Sequence, residues 1–110
     1  HDIIRQVGSI LVDLPNYIRV EGHTDDLLID TDEFLSTWEL SVLKASKVVH
    51  VLNEKAQIPA ERLSIIGYGE FRPLVPNNNA SNRAMNRRVD IVILKAQYDY
   101  FEPPEMGNID

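Results

Sequence analysis

The chain has no cysteine in its 110 residues, which excludes disulfides and thiolate metal sites but leaves the compartment open. No run approaches the roughly 18–20 apolar residues that carry a helix across a bilayer, so no part of the sequence reads as a membrane span. Positive charge is in short supply: 11 Lys and Arg against 17 Asp and Glu leave a net charge of −6, which argues against nucleic-acid binding through bulk electrostatics. There is no initiator Met and no signal-like segment at His1, so the sequence reads as a fragment of something longer. No nucleophile–base pair and no paired acid–base carboxylates stand out, so hydrolysis is not supported. Internal repeats are absent too.

What is present suffices for one domain with a single core. Ile3, Ile4, Val7, Ile10, Leu11 and Leu14 recur at helical spacing over residues 1–13, and Pro15 stops the helix. Tyr17 to Glu21 alternates, with Ile18 and Val20 on one face and Arg19 and Glu21 on a wet one. Residues 23–35 form a long acidic loop. Ser36 and Glu39 fit a capping box, and Trp38, Val42, Ala45, Val49, Leu52 and Ala56 then trace an apolar stripe along a helix that Pro59 forbids from continuing. Residues 59–62 read as a single turn, Leu63 to Tyr68 as a second strand, residues 70–79 as loop, Ala80 to Asn86 as a short helix and Val89 to Leu94 as a third strand. The last stretch, 96–110, is acidic and expected to be mobile or to pack only through Tyr98, Tyr100 and Phe101. This order predicts an α+β fold with helices on one face of a small sheet, the 36–56 helix making a parallel crossover.

The chemistry gathers where the first strand ends, at Val20-Glu21-Gly22-His23-Thr24-Asp25. A strand end is a rigid mount, and the loop after it keeps polar groups reachable. Together with Trp38-Glu39-Leu40-Ser41, Gly67-Tyr68-Gly69-Glu70, Pro73, Asn77 and Arg83-Ala84-Met85-Asn86-Arg87-Arg88-Val89, this stretch resembles the OmpA-like peptidoglycan-binding domain over residues 1–95. Trp38-Glu39-Leu40-Ser41 after an acidic loop looks most like the subgroup in bacterial flagellar stator B subunits, of the MotB, PomB and MotS type.

The resemblance implies a two-layer sandwich with helices on one face of a small mixed sheet, its first strand lying before His1. It implies a non-enzymatic, extracytoplasmic anchor without cofactor or metal that dimerises and grips the diaminopimelate of the peptidoglycan stem. A single membrane helix outside this sequence would join it to a stator A subunit. By the same resemblance, Thr24, Asp25, Thr37, Leu40, Lys44, Arg83, Asn86 and Arg87 form the wall-binding set. Asp25 pairs with the ligand ammonium, and Arg83, Asn86 and Arg87 brace the loops, whereas Arg88 faces solvent. Lys44 stands where the family has arginine, Thr37 where it has asparagine and Asn82 where it has a loop glycine. Lysine lacks the planar fork that binds a carboxylate with two bonds.

Blander readings stand beside these. Asp25 could cap its own turn. His23 could be a satisfied structural histidine, and Trp38 helix-start core packing rather than a sugar platform. His23, Asp25, Asp26, Asp30, Asp32 and Glu33 invite a cation, with a regulatory loop that orders on binding it as one alternative and a metal hydrolase on His23, Asp25 and Asp26 as another. A wall-binding domain of an envelope lipoprotein is the remaining one.

Overall fold

The computed structural model describes residues 2–27 and 36–94. In chain order these form α1 (Asp2–Leu11), β1 (Ile18–Gly22), α2 (Thr37–Glu54), a 3-10 turn (Ala60–Arg62), β2 (Leu63–Gly67), α3 (Ala80–Asn86) and β3 (Val89–Ile93). The sheet order is β2-β1-β3, with β1 parallel to β2 and antiparallel to β3, so it is a mixed sheet built on its earliest strand. Ile18 pairs with Leu63 on one side and Ile93 on the other, and Gly22 with Gly67 and Val89.

Helix α2 crosses the sheet and α1 lies against α2. The predicted capping box starts α2: Ser36 Oγ accepts from the Glu39 N–H at 3.3 Å, and Glu39 Oε1 accepts from the Ser36 N–H at 3.0 Å. Its other end does not wait for Pro59. Gln57 adopts a left-handed φ of 63°, which lets the Ile58 N–H close on the Leu52 carbonyl at 3.1 Å and drops Ile58 into the core. That core is Leu11, Ile18, Val20, Ala45, Leu52, Ile58 and Leu63. Arg62 ties the layers together by donating to the carbonyls of Leu11 (3.1 Å), Val12 (3.3 Å) and Asn16 (2.9 Å) as α1 ends.

Two predicted apolar faces are narrower than the sequence period suggests. On α1, the side that meets α2 holds Ile4, Val7, Gly8 and Leu11, whereas Ile3 and Ile10, one heptad apart, are 76% and 70% exposed. Leu14 is also exposed. The reason is that α1 rests on a single helix, and a helix-on-helix seam covers a thinner stripe than a helix on a sheet. On α2, Trp38 and Val42 are exposed rather than in the core, although Val42 still packs over Gly67 at the end of β2.

The layers meet most closely at Gly22, where an added β-carbon would sit on the Ser41 carbonyl, itself backbone with no room to yield. Gly22→Ala is therefore expected to cost about 3 kcal/mol, the upper end of ordinary overpacking. Ile3→Ala and Ile10→Ala are expected to change stability by no more than about 0.5 kcal/mol. Urea denaturation midpoints of the three variants check both statements, and a tolerant Gly22 would contradict the packing described.

Candidate functional site

Beyond Gly22 the chain leaves the sheet but stays clamped. The Gly22 carbonyl accepts from the Tyr68 N–H (3.0 Å), the His23 N–H donates to the Arg88 carbonyl (2.9 Å), and the Thr24 N–H donates to the Gly69 carbonyl (3.0 Å). His23, Thr24 and Asp25 are consequently all buried although they lie in a loop. Gly69 reaches this position with a left-handed φ of 64°, and its N–H donates to Ser41 Oγ at 3.0 Å. Ser41 is fully buried and also donates to the Trp38 carbonyl at 2.7 Å, so α2 holds the Gly69 turn directly.

Asp25 caps its own turn and also meets a cation of the chain itself. One carboxylate oxygen accepts the Leu27 N–H at 2.9 Å, a local turn, and the other accepts from Arg87 Nη1 at 2.6 Å. Burial alone would push its pKa up. The Leu27 N–H, the bond and charge of Arg87 and the charge of Lys44 overcome this and hold it below the ordinary carboxylate value. Lys44 is half-buried on α2 and its ammonium loses its proton more readily than a free lysine, first through desolvation and then through repulsion by Arg87, against the pull of Asp25. One anion thus lies in the field of two cations. Arg83 binds Asp26 at 2.9 Å. Asn86, fully buried, spends its whole side chain on the 74–77 loop: Oδ1 accepts from the Leu74 (2.9 Å) and Val75 (3.2 Å) N–H groups, and Nδ2 donates to the Val75 carbonyl (2.8 Å) and Asn77 Oδ1 (2.7 Å).

The structure therefore joins Thr24, Asp25, Lys44 and Arg87 into one group and gives Arg83 and Asn86 bracing contacts. Thr37 is buried beside Gly69, with its Oγ1 3.1 Å from where a β-carbon on that glycine would lie. Leu40, half-buried on the first turn of α2, can offer only apolar surface. Ser41 was not singled out for the site, although it lies inside the Trp38-Glu39-Leu40-Ser41 motif. Arg88 does not face solvent: it donates to Asp90 (3.2 Å) and the Arg72 carbonyl (3.3 Å).

His23 is buried but not satisfied. Neither ring nitrogen has a hydrogen-bond partner, and Nε2 stands 3.5 Å from Asp90 Oδ2, beyond a good bond. The ring stacks on Tyr68 at 5.1 Å, with the Arg72 guanidinium over the other ring of the pair at 4.6 Å. Desolvation, followed by the charge of Arg88, lowers its pKa. Glu21, His23 and Asp90 could together face a cation, since the register sets Glu21 opposite Asp90, but Arg19 already binds Glu21 (2.8 Å) and Arg88 binds Asp90. A hydrolase on His23, Asp25 and Asp26 does not fit this geometry, because His23 faces Asp90 while Arg87 and Arg83 occupy the two aspartates. Asp30, Asp32 and Glu33 lie outside the described residues, as do Tyr98, Tyr100 and Phe101. A separate surface cavity of about 460 Å³, lined by Arg5, Gln6, Ser9, Lys55 and Gln57, opens at the far end of α2 from Thr37.

Because the folded state depresses the pKa of Asp25, the stability that its carboxylate contributes is complete above its unfolded value of 3.8 and drains away as pH falls toward the folded value. Asp25→Asn is expected to cost about 1–3 kcal/mol near neutral pH. Thermal melts from pH 7 to pH 2 should show that deficit relative to wild type shrinking below pH 4. A constant difference across the range would mean that the charge of Asp25 does not matter to the fold.

Comparison with known proteins agrees with this architecture. The OmpA family model matches residues 1–87. Motility protein B of Bacillus subtilis is 38% identical over 93 residues, covering 84% of this chain and 36% of that protein. The periplasmic domain of Helicobacter pylori MotB superposes with a TM-score of 0.78 at 29% identity, covering 97% of this chain and 67% of the other. The cell wall anchor of the T6SS from Pseudomonas aeruginosa superposes at 0.74 with 30% identity, covering 82% and 62%. The chain spans little more than a third of the length of the curated relatives it matches. Its fold, its clamped strand exit and the matched residues make it a member of the OmpA family.

Proposed function

We propose that this chain is the wall-anchoring domain of a membrane-embedded motor subunit, a binding module rather than an enzyme, which holds an ion-conducting stator to peptidoglycan on the extracytoplasmic side. The observation that carries this reading is the mixed-charge cluster in which Asp25 is bonded to Arg87 at 2.6 Å within the field of Lys44. One carboxylate beside two cations complements a group that bears an ammonium and a carboxylate on one carbon, the free end of a diamino acid such as diaminopimelate. Asp25 takes the ammonium, and Lys44 with Arg87 takes the carboxylate. Thr24 and Thr37 line the approach, and Leu40 gives the ligand's methylene chain an apolar wall. Because Arg83 and Asn86 pin the neighbouring loops, little ordering cost falls on binding.

The similarity to Motility protein B and to a cell wall anchor supports this assignment. On the same reading, a membrane segment elsewhere in the parent protein joins the domain to a stator A subunit, and two copies act as a dimer. Residues 1–95 are the anchor and 96–110 an acidic extension. A motor that delivers torque needs a fixed point, and an abundant wall component gripped by a small rigid domain provides one.

Co-sedimentation with insoluble peptidoglycan sacculi tests the assignment. Wild type is expected to pellet, and Asp25→Asn to lose at least tenfold in affinity, about 1.4 kcal/mol. Lys44→Arg is expected to bind several-fold tighter, because arginine can meet a carboxylate with two parallel bonds. Wild-type protein remaining in the supernatant at every concentration would refute the anchor role.

A further inference from the structure

The function proposed above uses the polar groups around Asp25 and leaves the apolar surface beside them without a task. Trp38 and Phe71 are 56% and 57% exposed, and their rings stand 4.8 Å apart with planes tilted by 39°. Single exposed apolar residues are ordinary, but two large rings held together in the open mark a contact surface. The pair is fixed from below. Trp38 lies in the first turn of α2, and its carbonyl accepts from Ser41 Oγ at 2.7 Å. Gly69 is packed against the indole, so that a β-carbon there would lie 3.1 Å from Trp38 Cδ1 and 3.1 Å from Thr37 Oγ1. The Gly69 carbonyl in turn receives the Thr24 N–H at 3.0 Å. Phe71 leaves the same turn, its N–H closing on the Tyr68 carbonyl at 3.3 Å. The rings are thus continuous with the Asp25 pocket through one glycine.

We infer that Trp38 and Phe71 form a stacking platform for the glycan strand of peptidoglycan, beside the pocket that takes its peptide stem. This inference rests on the wall-binding reading. Three considerations select a sugar. A pyranose ring presents a flat face of C–H groups with hydroxyls at its edge, which suits an aromatic face rimmed by polar side chains. Here polar residues adjoin the rings in the chain, Glu39 after Trp38 and Glu70 and Arg72 on either side of Phe71. The stem is covalently joined to the glycan, so a stem end held at Asp25 brings a sugar within the reach of a few residues, about 3.3–3.6 Å for each. A protein partner needs about 800 Å² on each side, far more than two rings supply, whereas a disaccharide is of their size.

Trp38 is the only tryptophan, so it reports on its own occupancy. The experiment titrates the domain with a β-1,4-linked N-acetylglucosamine tetramer that carries no peptide, following emission, and with a sugar-free stem peptide, followed by calorimetry. The tetramer is expected to bind saturably and shift the emission to shorter wavelength. Trp38→Ala is expected to bind sacculi about tenfold more weakly than wild type, yet to bind the free stem equally well. Trp38→Phe should keep most of the sacculus affinity, and circular dichroism should show each variant folded. Sacculi held as tightly by Trp38→Ala as by wild type would overturn the platform alone. Equal losses for sacculi and free stem would overturn it as well, by showing that Trp38 only supports the pocket. Wild type that binds neither sacculi nor stem would overturn the wall-binding reading and this inference with it.

Discussion

The close approach of α2 to the ends of β1 and β2 is the constraint on which the site depends. Gly22 and Gly67 lie beneath Ser41 and Val42 with no side chain between. Because positions three and four apart share a helix face, the stripe that brings Ser41 and Ala45 to the strands also brings Thr37 and Lys44 over the point where β1 ends. Ser41 then holds the turn after β2 by accepting the Gly69 N–H, and Gly69 holds the loop after β1 through Thr24. A bulkier residue at any of these contacts would lift the helix and separate Lys44 from Asp25. The pocket is therefore a consequence of packing before it is a matter of charge.

Charge has a second organisation on the sheet. Arg19 and Glu21 alternate with the buried Ile18 and Val20 along β1, and the antiparallel register sets Glu21 opposite Asp90. Like charges directly opposite on neighbouring strands repel. Arg19 and Arg88 offset that repulsion, one on each carboxylate. His23 sits at the end of this arrangement, stacked on Tyr68, with its pKa lowered by desolvation and by Arg88. An acidic chain thus sets four of its arginines against carboxylates at two places, Arg19 and Arg88 at the sheet and Arg87 and Arg83 at Asp25 and Asp26.

Much of this was legible from local signals. The Ser36–Glu39 box, the alternation of β1 and the short helix at Ala80 to Asn86 follow from spacing, since each depends on neighbours within a few residues. Asp25, Arg83, Asn86 and Arg87 stand out only through motif resemblance; what spacing does not show is that Arg87 pairs with Asp25, Arg83 with Asp26, and Asn86 with the 74–77 loop. What depends on distant partners was harder to read. The period of α1 shows that Ile3 and Ile10 are apolar, but not that the helix rests on only one neighbour. Trp38 follows the apolar stripe of α2 but lies beyond the sheet's edge. Arg62 gives no sign in sequence that it donates to the carbonyls of Leu11, Val12 and Asn16, and Arg88 none that it turns to Asp90. Asp90 is a lone acid in an apolar strand, and only the register shows that it lies opposite Glu21.

The position of β1 has a mechanical consequence. It is the central strand, bonded along its whole length to β2 on one side and β3 on the other, and Asp25 lies three residues past its end. Tension applied at Asp25 along the strand axis is borne by both ladders in shear, so many hydrogen bonds must yield together. The same tension applied to an edge strand from the side would peel its bonds one after another. A tether attached at this point loads the domain along its stiffest direction, and the strand carries the load straight into the core around Ile18 and Val20.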